Sequence, residues 1–437
     1  MLTYDIIVIG FGKAGKTLAA KQASSGKKVA LIEQSKEMYG GTCINIACIP
    51  TKTMLVAAEK GLNFDQVIAE KDAVVTRLNA KNYATVSAGV DVIDAKARFV
   101  ANKVVEVVAG DEVRQLTAET IVINTGAVSI IPPISGLTDT ANVVDSTGIQ
   151  QLENRPEHLG IIGAGNIGLE FAGLYNQLGS QVTVFDGADA ILSRFEPEIA
   201  QMAKNYMEED GIKFNLSSVI TAVSSVDGSV QVSTDQGDFL FDVVLYATGR
   251  KPNVEGLNIE ATDIALTERG AIKVDDFCQT TVPGVFAVGD VNGGPQFTYI
   301  SLDDFRIVNG YLNGLTTYSL KERKAIPTST FLTPPLAQVG LTEAQAEKEG
   351  LSYLTKTIPV AAMPRGHVNA DLRGAYKVVV DKSSKQILGA TFFGAQAHEL
   401  INLVKMAMDN HIPATYFQNQ IFTHPTMVEN FNDLFAF

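Results

Sequence analysis

The stretch Asp5-Ile6-Ile7-Val8-Ile9-Gly10-Phe11-Gly12-Lys13-Ala14-Gly15 opens the chain with an apolar run that stops at a glycine and continues as a helical segment to Gln22. A second apolar run, Lys28 to Glu33, follows. Strand, glycine turn, helix, strand is the order of a βαβ unit. The same pattern returns 153 residues later: Gly10, Gly12, Gly15, Gly26, Val29 and Glu33 map onto Gly163, Gly165, Gly168, Gly179, Val182 and Asp186. One GxGxxG is a weak signal, because glycine turns also serve packing. Packing does not explain a carboxylate recurring at the same offset.

In each copy the first glycine makes the tight turn, the second admits a pyrophosphate to the backbone, and the third lets helix and strand approach. The helix start then offers N–H groups and a positive dipole end to the phosphates. Glu33 and Asp186, at the ends of their second strands, are placed to accept hydrogen bonds from a ribose. Two such folds imply two dinucleotides.

The rest of the composition narrows the class. With 437 residues, 46% hydrophobic and 19% charged, the chain is long enough for two to four domains and too apolar to be disordered. Lys+Arg 35 against Asp+Glu 48 gives a net charge of −13 without a compensating basic cluster, so nucleic acid is not an expected partner. No apolar run has membrane-spanning length, and no signal segment precedes the first strand, so a cytoplasmic protein without a membrane partner is expected.

Strand-like runs ending in glycine recur at Thr120 to Gly126, Asp242 to Gly249 and Gly284 to Gly289. They suggest a first fold interrupted by the second and resumed after it. The expected architecture is α/β: two Rossmann-like dinucleotide-binding domains, over 1–149 plus 249–320 and over 150–248, then an α+β C-terminal domain over 325–437. In that last part strands are predicted at Tyr376 to Asp381 and Ile387 to Phe393, with a helix from Ala397 whose core face carries Leu400, Leu403, Val404, Ala407 and Met408.

Three cysteines occur: Cys43, Cys48 and Cys278. The first two lie in Gly40-Gly41-Thr42-Cys43-Ile44-Asn45-Ile46-Ala47-Cys48-Ile49-Pro50-Thr51-Lys52, ahead of a helical stretch. On a regular α-helix residues five apart have Cα atoms roughly 8.6 Å from each other, beyond the limit of about 7 Å for a disulfide, so a bridge requires a distorted helix. Pro50 fits a first helical turn and would put Cys48 at the helix's positive end, lowering its thiol pKa. Without context the pair also fits two buried thiols; a zinc site lacks two further ligands, and no metal is expected. Cys278 reads as structural.

The Gly-Gly-Thr-Cys-x4-Cys-x-Pro segment resembles the class I pyridine nucleotide-disulfide oxidoreductases, and the resemblance runs over essentially the whole chain. It implies a homodimer with FAD-binding, NAD(P)-binding and dimerisation domains. It also implies that Cys48 lies beside the flavin as a thiolate while Cys43 exchanges with substrate. Lys52 and Glu170 would pair near the flavin, Asp290 would hold the ribityl chain, and Gly41, Thr42, Thr125, Gly126, Gly249 and Gly289 would line the FAD. His424, oriented by Glu429, would serve as acid/base for the partner subunit's site; His158, His367, His398 and His411 match no such motif, and His398 reads as a surface or cap residue. Ala47 stands where the family has Gly, and Asn166 where many relatives place a gating Tyr. Asp186 with Asp189 disfavours a 2′-phosphate, so NADH is favoured over NADPH, for which Arg194 is the nearest candidate.

Within the family, CINIACIPTK, Gly293 to Val308 (GGPQFTYISLDDFRIV) and Phe422 to Phe435 (FTHPTMVENFNDLF) resemble the bacterial hypothiocyanous acid reductases and the related reactive-chlorine-resistance flavoproteins. The resemblance implies reduction of a small oxidant, HOSCN, in oxidant defence. Reduction of an organic disulfide such as lipoamide or glutathione disulfide, or of a mercuric or cupric ion, is the alternative. The absence of a C-terminal cysteine pair argues against mercury.

Overall fold

The computed structural model describes all 437 residues. They fall into two compact units: Met1–Ile131, Asp145–Asn154 and Gly249–Arg323 form the first, and Pro132–Val144, Arg155–Thr248 and Lys324–Phe437 the second. No helix is long and apolar enough to cross a membrane.

The first unit is built on β1 (Leu2–Ile9), α1 (Lys13–Ser24), β2 (Val29–Glu33), α2 (Thr42–Asn45), α3 (Cys48–Glu59), α4 (Phe64–Ser87), β3 (Asp91–Asp94), β4 (Lys96–Ala101), β5 (Val104–Ala109) and β6 (Glu112–Ile123). Its sheet runs β3-β2-β1-β6-β5-β4, and the strand Val285–Ala287 pairs with β6. β1 is parallel to both neighbours, with Val8 opposite Leu31 on one side and Val122 on the other. The central strands read as unbroken apolar runs because both faces are covered. Ile7, Ile9, Ile32, Ile121 and Ile123 pack on one face; Val8, Leu31 and Val122 meet Leu18 of α1 and Ile307 and Val308 of the helix Thr298–Leu312 on the other. After residue 249 the chain returns to this sheet, where Val285–Ala287 runs parallel to β6.

Asn124, immediately after β6, closes the glycine turn from below. Its Oδ1 accepts the N–H of Gly15 at 2.9 Å and its Nδ2 donates to the carbonyl of Val288 at 2.7 Å, in a place only 5% exposed. A Cβ on Gly12 would lie 2.4 Å from the Asn124 Oδ1, and a Cβ on Gly10 the same distance from the Asn124 carbonyl oxygen. The turn therefore excludes side chains at both positions.

The second unit repeats the βαβ start. His158–Ile162, Gln181–Phe185, Lys213–Asn215, Val243–Tyr246 and Val143–Val144 form a five-stranded parallel sheet, and α5 (Asn166–Gln177) leaves its first strand. A three-stranded antiparallel sheet, Ile220–Val226, Ser229–Thr234 and Gly237–Phe241, is inserted before the last long strand. After residue 324 comes the antiparallel sheet Thr328–Thr330, Leu336–Gly340, Ile387–Phe393, Ala375–Asp381, Tyr353–Pro359, covered by the helix Ala397–Asp409. That helix buries Ala397, Leu400, Ile401, Val404 and Ala407, whereas Leu403 is 40% exposed. The apolar stripe is thus rotated from the expected one: Ile401 takes the core place assigned to Leu403. The buried ammonium of Lys377 joins Glu196 (3.1 Å), Glu198 (2.5 Å) and Glu343 (2.6 Å), so the carboxylate group with metal-ligating spacing already has a cation at its centre.

Asn124→Ala would leave the Gly15 N–H and the Val288 carbonyl buried without their partner. A loss of about 2–6 kcal/mol is expected in chemical denaturation, from roughly 1–3 kcal/mol per unsatisfied buried group.

Candidate active site

The two cysteines meet where a helix is broken. α2 ends at Asn45, Ile46 takes φ −140° and ψ 6°, Ala47 takes φ −136° and ψ −102°, and α3 starts at Cys48. This is the distortion that a close approach of the two sulfurs requires. Pro50 sits in the first turn of α3, where its missing N–H costs nothing. The carbonyl of Ile46, inside the break, accepts from Gln150 Nε2 at 2.9 Å. The Gln150 carbonyl in turn accepts from the buried Lys71 ammonium at 2.6 Å.

Both thiols are free, Cys43 half-buried and Cys48 exposed, and their side chains are hydrogen-bonded to each other. The hydroxyl of Thr298, first residue of its helix, stands 3.8 Å from the Cys48 sulfur and also contacts Cys43. The hydrogen bond from Cys43 is the largest influence on Cys48. The Thr298 hydroxyl and the Lys52 charge, one turn along α3, add to it and outweigh burial, lowering the thiol to about 6. The Cys43 thiol is pushed far up by that hydrogen bond, by burial and by the Cys48 charge. The pair is thus polarised: one sulfur ionises easily and the other holds its proton.

Around this pair lies a cradle for a dinucleotide. α1 begins at Gly12, which offers no side-chain cap, so the helix start is left to an external anion. A Cβ on Gly41 would lie 2.7 Å from the Gly12 Cα; the loop that carries the cysteines therefore lies directly on the glycine turn. Glu33 fixes that turn by accepting from Phe11 N (3.0 Å) and Ser35 N (3.2 Å), and burial raises its pKa against those bonds. The hydroxyl of Thr42 faces Gly126, Thr125 Oγ1 donates to the Asn253 carbonyl at 2.6 Å, and Ile130 N donates to the Gly249 carbonyl at 2.9 Å. Gly289 donates to the buried Asp304 at 2.7 Å, and Asp290 follows it, its carboxyl raised by burial and lowered in part by Arg250. An uncapped helix start, a glycine-on-glycine approach and a ribose-height carboxylate fit FAD.

In the second unit α5 starts at Gly165, again without a side-chain cap. A Cβ on Gly168 would stand 2.0 Å from the Gly163 carbonyl, whereas Gly165 faces open space. The third glycine is therefore required by packing, whereas nothing in the chain crowds the second. Asp186 accepts from Ala164 N (2.7 Å) and Ala188 N (2.9 Å), so its carboxylate is pinned beside the turn. Glu170, buried in the same helix, accepts from Phe331 N at 2.9 Å. His424 Nδ1 is 2.7 Å from Glu429 Oε2, with the ring 70% exposed. His398 is no cap: Gln396 holds that place, and the His398 ring packs on Phe331.

Sequence reading missed Thr298, Gln150, Lys16 and Asn124. Lys16 is 8% exposed and donates to the Gly40 carbonyl (3.2 Å) and Asn82 Oδ1 (2.5 Å). None of the four carries a local signal, because each acts on residues distant in sequence.

A profile of the pyridine nucleotide-disulphide oxidoreductases matches residues 4–304, and one of their dimerisation domain matches 326–435. The chain is 44% identical to the probable pyridine nucleotide-disulfide oxidoreductase RclA of Escherichia coli K12, covering 100% of this chain and 99% of the relative. It superimposes on the Cu(II) complex of that HOCl-induced flavoprotein disulfide reductase with a TM-score of 0.97, again covering 100% and 99%. It is also 30% identical to a mercuric reductase of Staphylococcus aureus, over 98% of this chain and 81% of that one.

In the reduced protein, thiolate absorbance is expected to rise through a midpoint near 6, because the Cys48 pKa is lowered and the anion is present above it and lost as pH falls through it. Cys48→Ser should remove this step. A midpoint at the ordinary thiol value of about 8.5 would show that the site does not acidify Cys48.

Proposed function

Since the chain belongs to the pyridine nucleotide-disulphide oxidoreductase family and is an oxidoreductase acting on a sulfur group, we propose that it uses FAD, NAD(P)H and a Cys43/Cys48 redox disulfide to reduce HOSCN to thiocyanate. The observation that carries this reading is the polarised sulfur pair at the break between α2 and α3. The reading retains an FAD-binding part over 1–149 and 249–320, an NAD(P)-binding part over 150–248 and a dimerisation part over 325–437, in a cytoplasmic homodimer.

Bound FAD would supply the return path, accepting hydride from NAD(P)H and passing an electron pair to the disulfide. Glu33 and Asp290 are the residues proposed to hold it, with the N-terminus of α1 at its phosphates and Lys52 and Glu170 near its reactive ring. With the disulfide reduced, the Cys43 thiolate attacks the sulfur of HOSCN. A Cys43 S–S bond forms and the S–O bond breaks. Hydroxide departs as water with a proton from His424 of the partner subunit, which Glu429 orients. The Cys48 thiolate then attacks the Cys43 sulfur; the disulfide closes and thiocyanate leaves with the bonding pair. Cys43 needs a base before each cycle because its own surroundings hold the proton on.

One feature favours a small oxidant: the relative RclA is described as HOCl-induced. The Cu(II) complexes of RclA and of its C43S mutant favour a second reading, reduction of a cupric ion.

Purified FAD-loaded protein should oxidise NADH rapidly with HOSCN and not with lipoamide or glutathione disulfide. Cys43→Ser should keep flavin and lose turnover, by about a thousandfold or more, as expected for removal of a covalent nucleophile. Rapid turnover of either organic disulfide, or of Cu(II) alone, would displace the HOSCN reading. The pinned Asp186 carboxylate also sets the coenzyme: Asp186→Asn should raise kcat/KM for NADPH relative to NADH about tenfold, by removing one charge beside the 2′-phosphate. An unchanged ratio would remove Asp186 from the ribose contact.

A further inference from the structure

The proposed cycle leaves one difficulty: the sulfur that meets substrate is the one whose surroundings favour the protonated form. We infer that Lys16, buried beside the redox loop, is a positioning residue for Cys43, holding the Gly40 carbonyl and placing a positive charge against the loop that carries this sulfur. The inference rests on Cys43 being the substrate-facing thiol.

The geometry is specific. Lys16 follows the third glycine of the first turn, in α1, and its side chain crosses to the next loop. There its ammonium donates to the carbonyl of Gly40, three residues ahead of Cys43, and to Asn82 Oδ1 on α4. Both acceptors are neutral. A buried lysine ordinarily meets a carboxylate, as Lys377 meets three here. Lys16 instead meets two neutral acceptors of the chain, in a place only 8% exposed.

That charge acts on the cysteine. Among the influences on Cys43, Lys16 and the Thr298 hydroxyl are the two that favour the anion. The reciprocal effect is present on Lys16: burial and the neighbouring Lys13 charge lower it to about 8, and Cys43 opposes both. Thr298 is shared between the sulfurs, and Lys52 is among the groups that favour the Cys48 anion. The same hydrogen bond to Gly40 ties the loop to α1.

The test reads Cys43 directly. The FAD-loaded enzyme is reduced anaerobically and treated with iodoacetamide across a pH series, and alkylation of the Cys43 peptide is followed by mass spectrometry. Lys16→Met is expected to slow Cys43 alkylation at neutral pH about tenfold and to raise its apparent pKa, the size expected for one unit charge at an effective dielectric of about 20. Lys16→Arg should restore most of the rate. Asn82→Asp, which places a carboxylate on the ammonium without altering α1, should slow alkylation as Lys16→Met does, and it decides the matter if the Lys16 variants lose flavin. An unchanged Cys43 profile in Asn82→Asp and in a flavin-loaded Lys16→Met overturns the inference. So does an equal loss in Lys16→Arg and Lys16→Met, because charge would then not be the cause. If Cys43 in the unaltered enzyme is not alkylated in preference to Cys48, the reading of the redox pair itself fails instead.

Discussion

The sulfur pair depends on a break in a helix. Had residues 42–59 formed one regular helix, the sulfurs of Cys43 and Cys48 would have been held too far apart to bond. The conformations of Ile46 and Ala47 interrupt it, and the Ile46 carbonyl, which the break leaves without an intrahelical role, is taken by Gln150. The break also creates a second helix start, and it does so at Cys48. One local distortion therefore brings the sulfurs together and gives one of them the N-terminal position of α3.

Electrostatics then separates two chemically identical thiols. Cys48 receives a hydrogen bond from Cys43, the Thr298 hydroxyl and the Lys52 charge, and it ionises near 6. Cys43 keeps its proton, and it needs outside help to become a nucleophile. This division suits a cycle in which one sulfur stays beside an electron carrier and the other meets substrate. The glycine turn serves the same end: the cysteine loop lies on Gly12 through Gly41, so the cradle for a dinucleotide and the redox pair are parts of one packed arrangement.

What the sequence revealed follows from the range of each interaction. The two βαβ starts were legible because turn, helix start and carboxylate lie within about two dozen residues and each glycine answers a local steric demand. Gly10 and Gly168 meet backbone carbonyls, while Gly165 faces open space. The helix start at Cys48 was legible from Pro50. Gln150, Thr298 and Lys16 were not, because they reach the cysteine loop from about 104, 250 and 24 residues away in sequence and look locally like ordinary polar residues. Leu403 was misplaced for a related reason: periodicity gives the width of an apolar stripe, but the sheet beneath chooses between Ile401 and Leu403 at its edge.

The central claim is that Cys43 and Cys48 together store an electron pair that the flavin exchanges. Anaerobic reductive titration of the FAD-loaded protein, with thiols counted at each step, tests it most directly. The expected result is that the first reducing equivalents free the thiols of Cys43 and Cys48, with Cys278 unchanged, before the flavin absorbance is bleached. Bleaching of the flavin by the first equivalents, with Cys43 and Cys48 already free in the oxidised protein, would contradict the account.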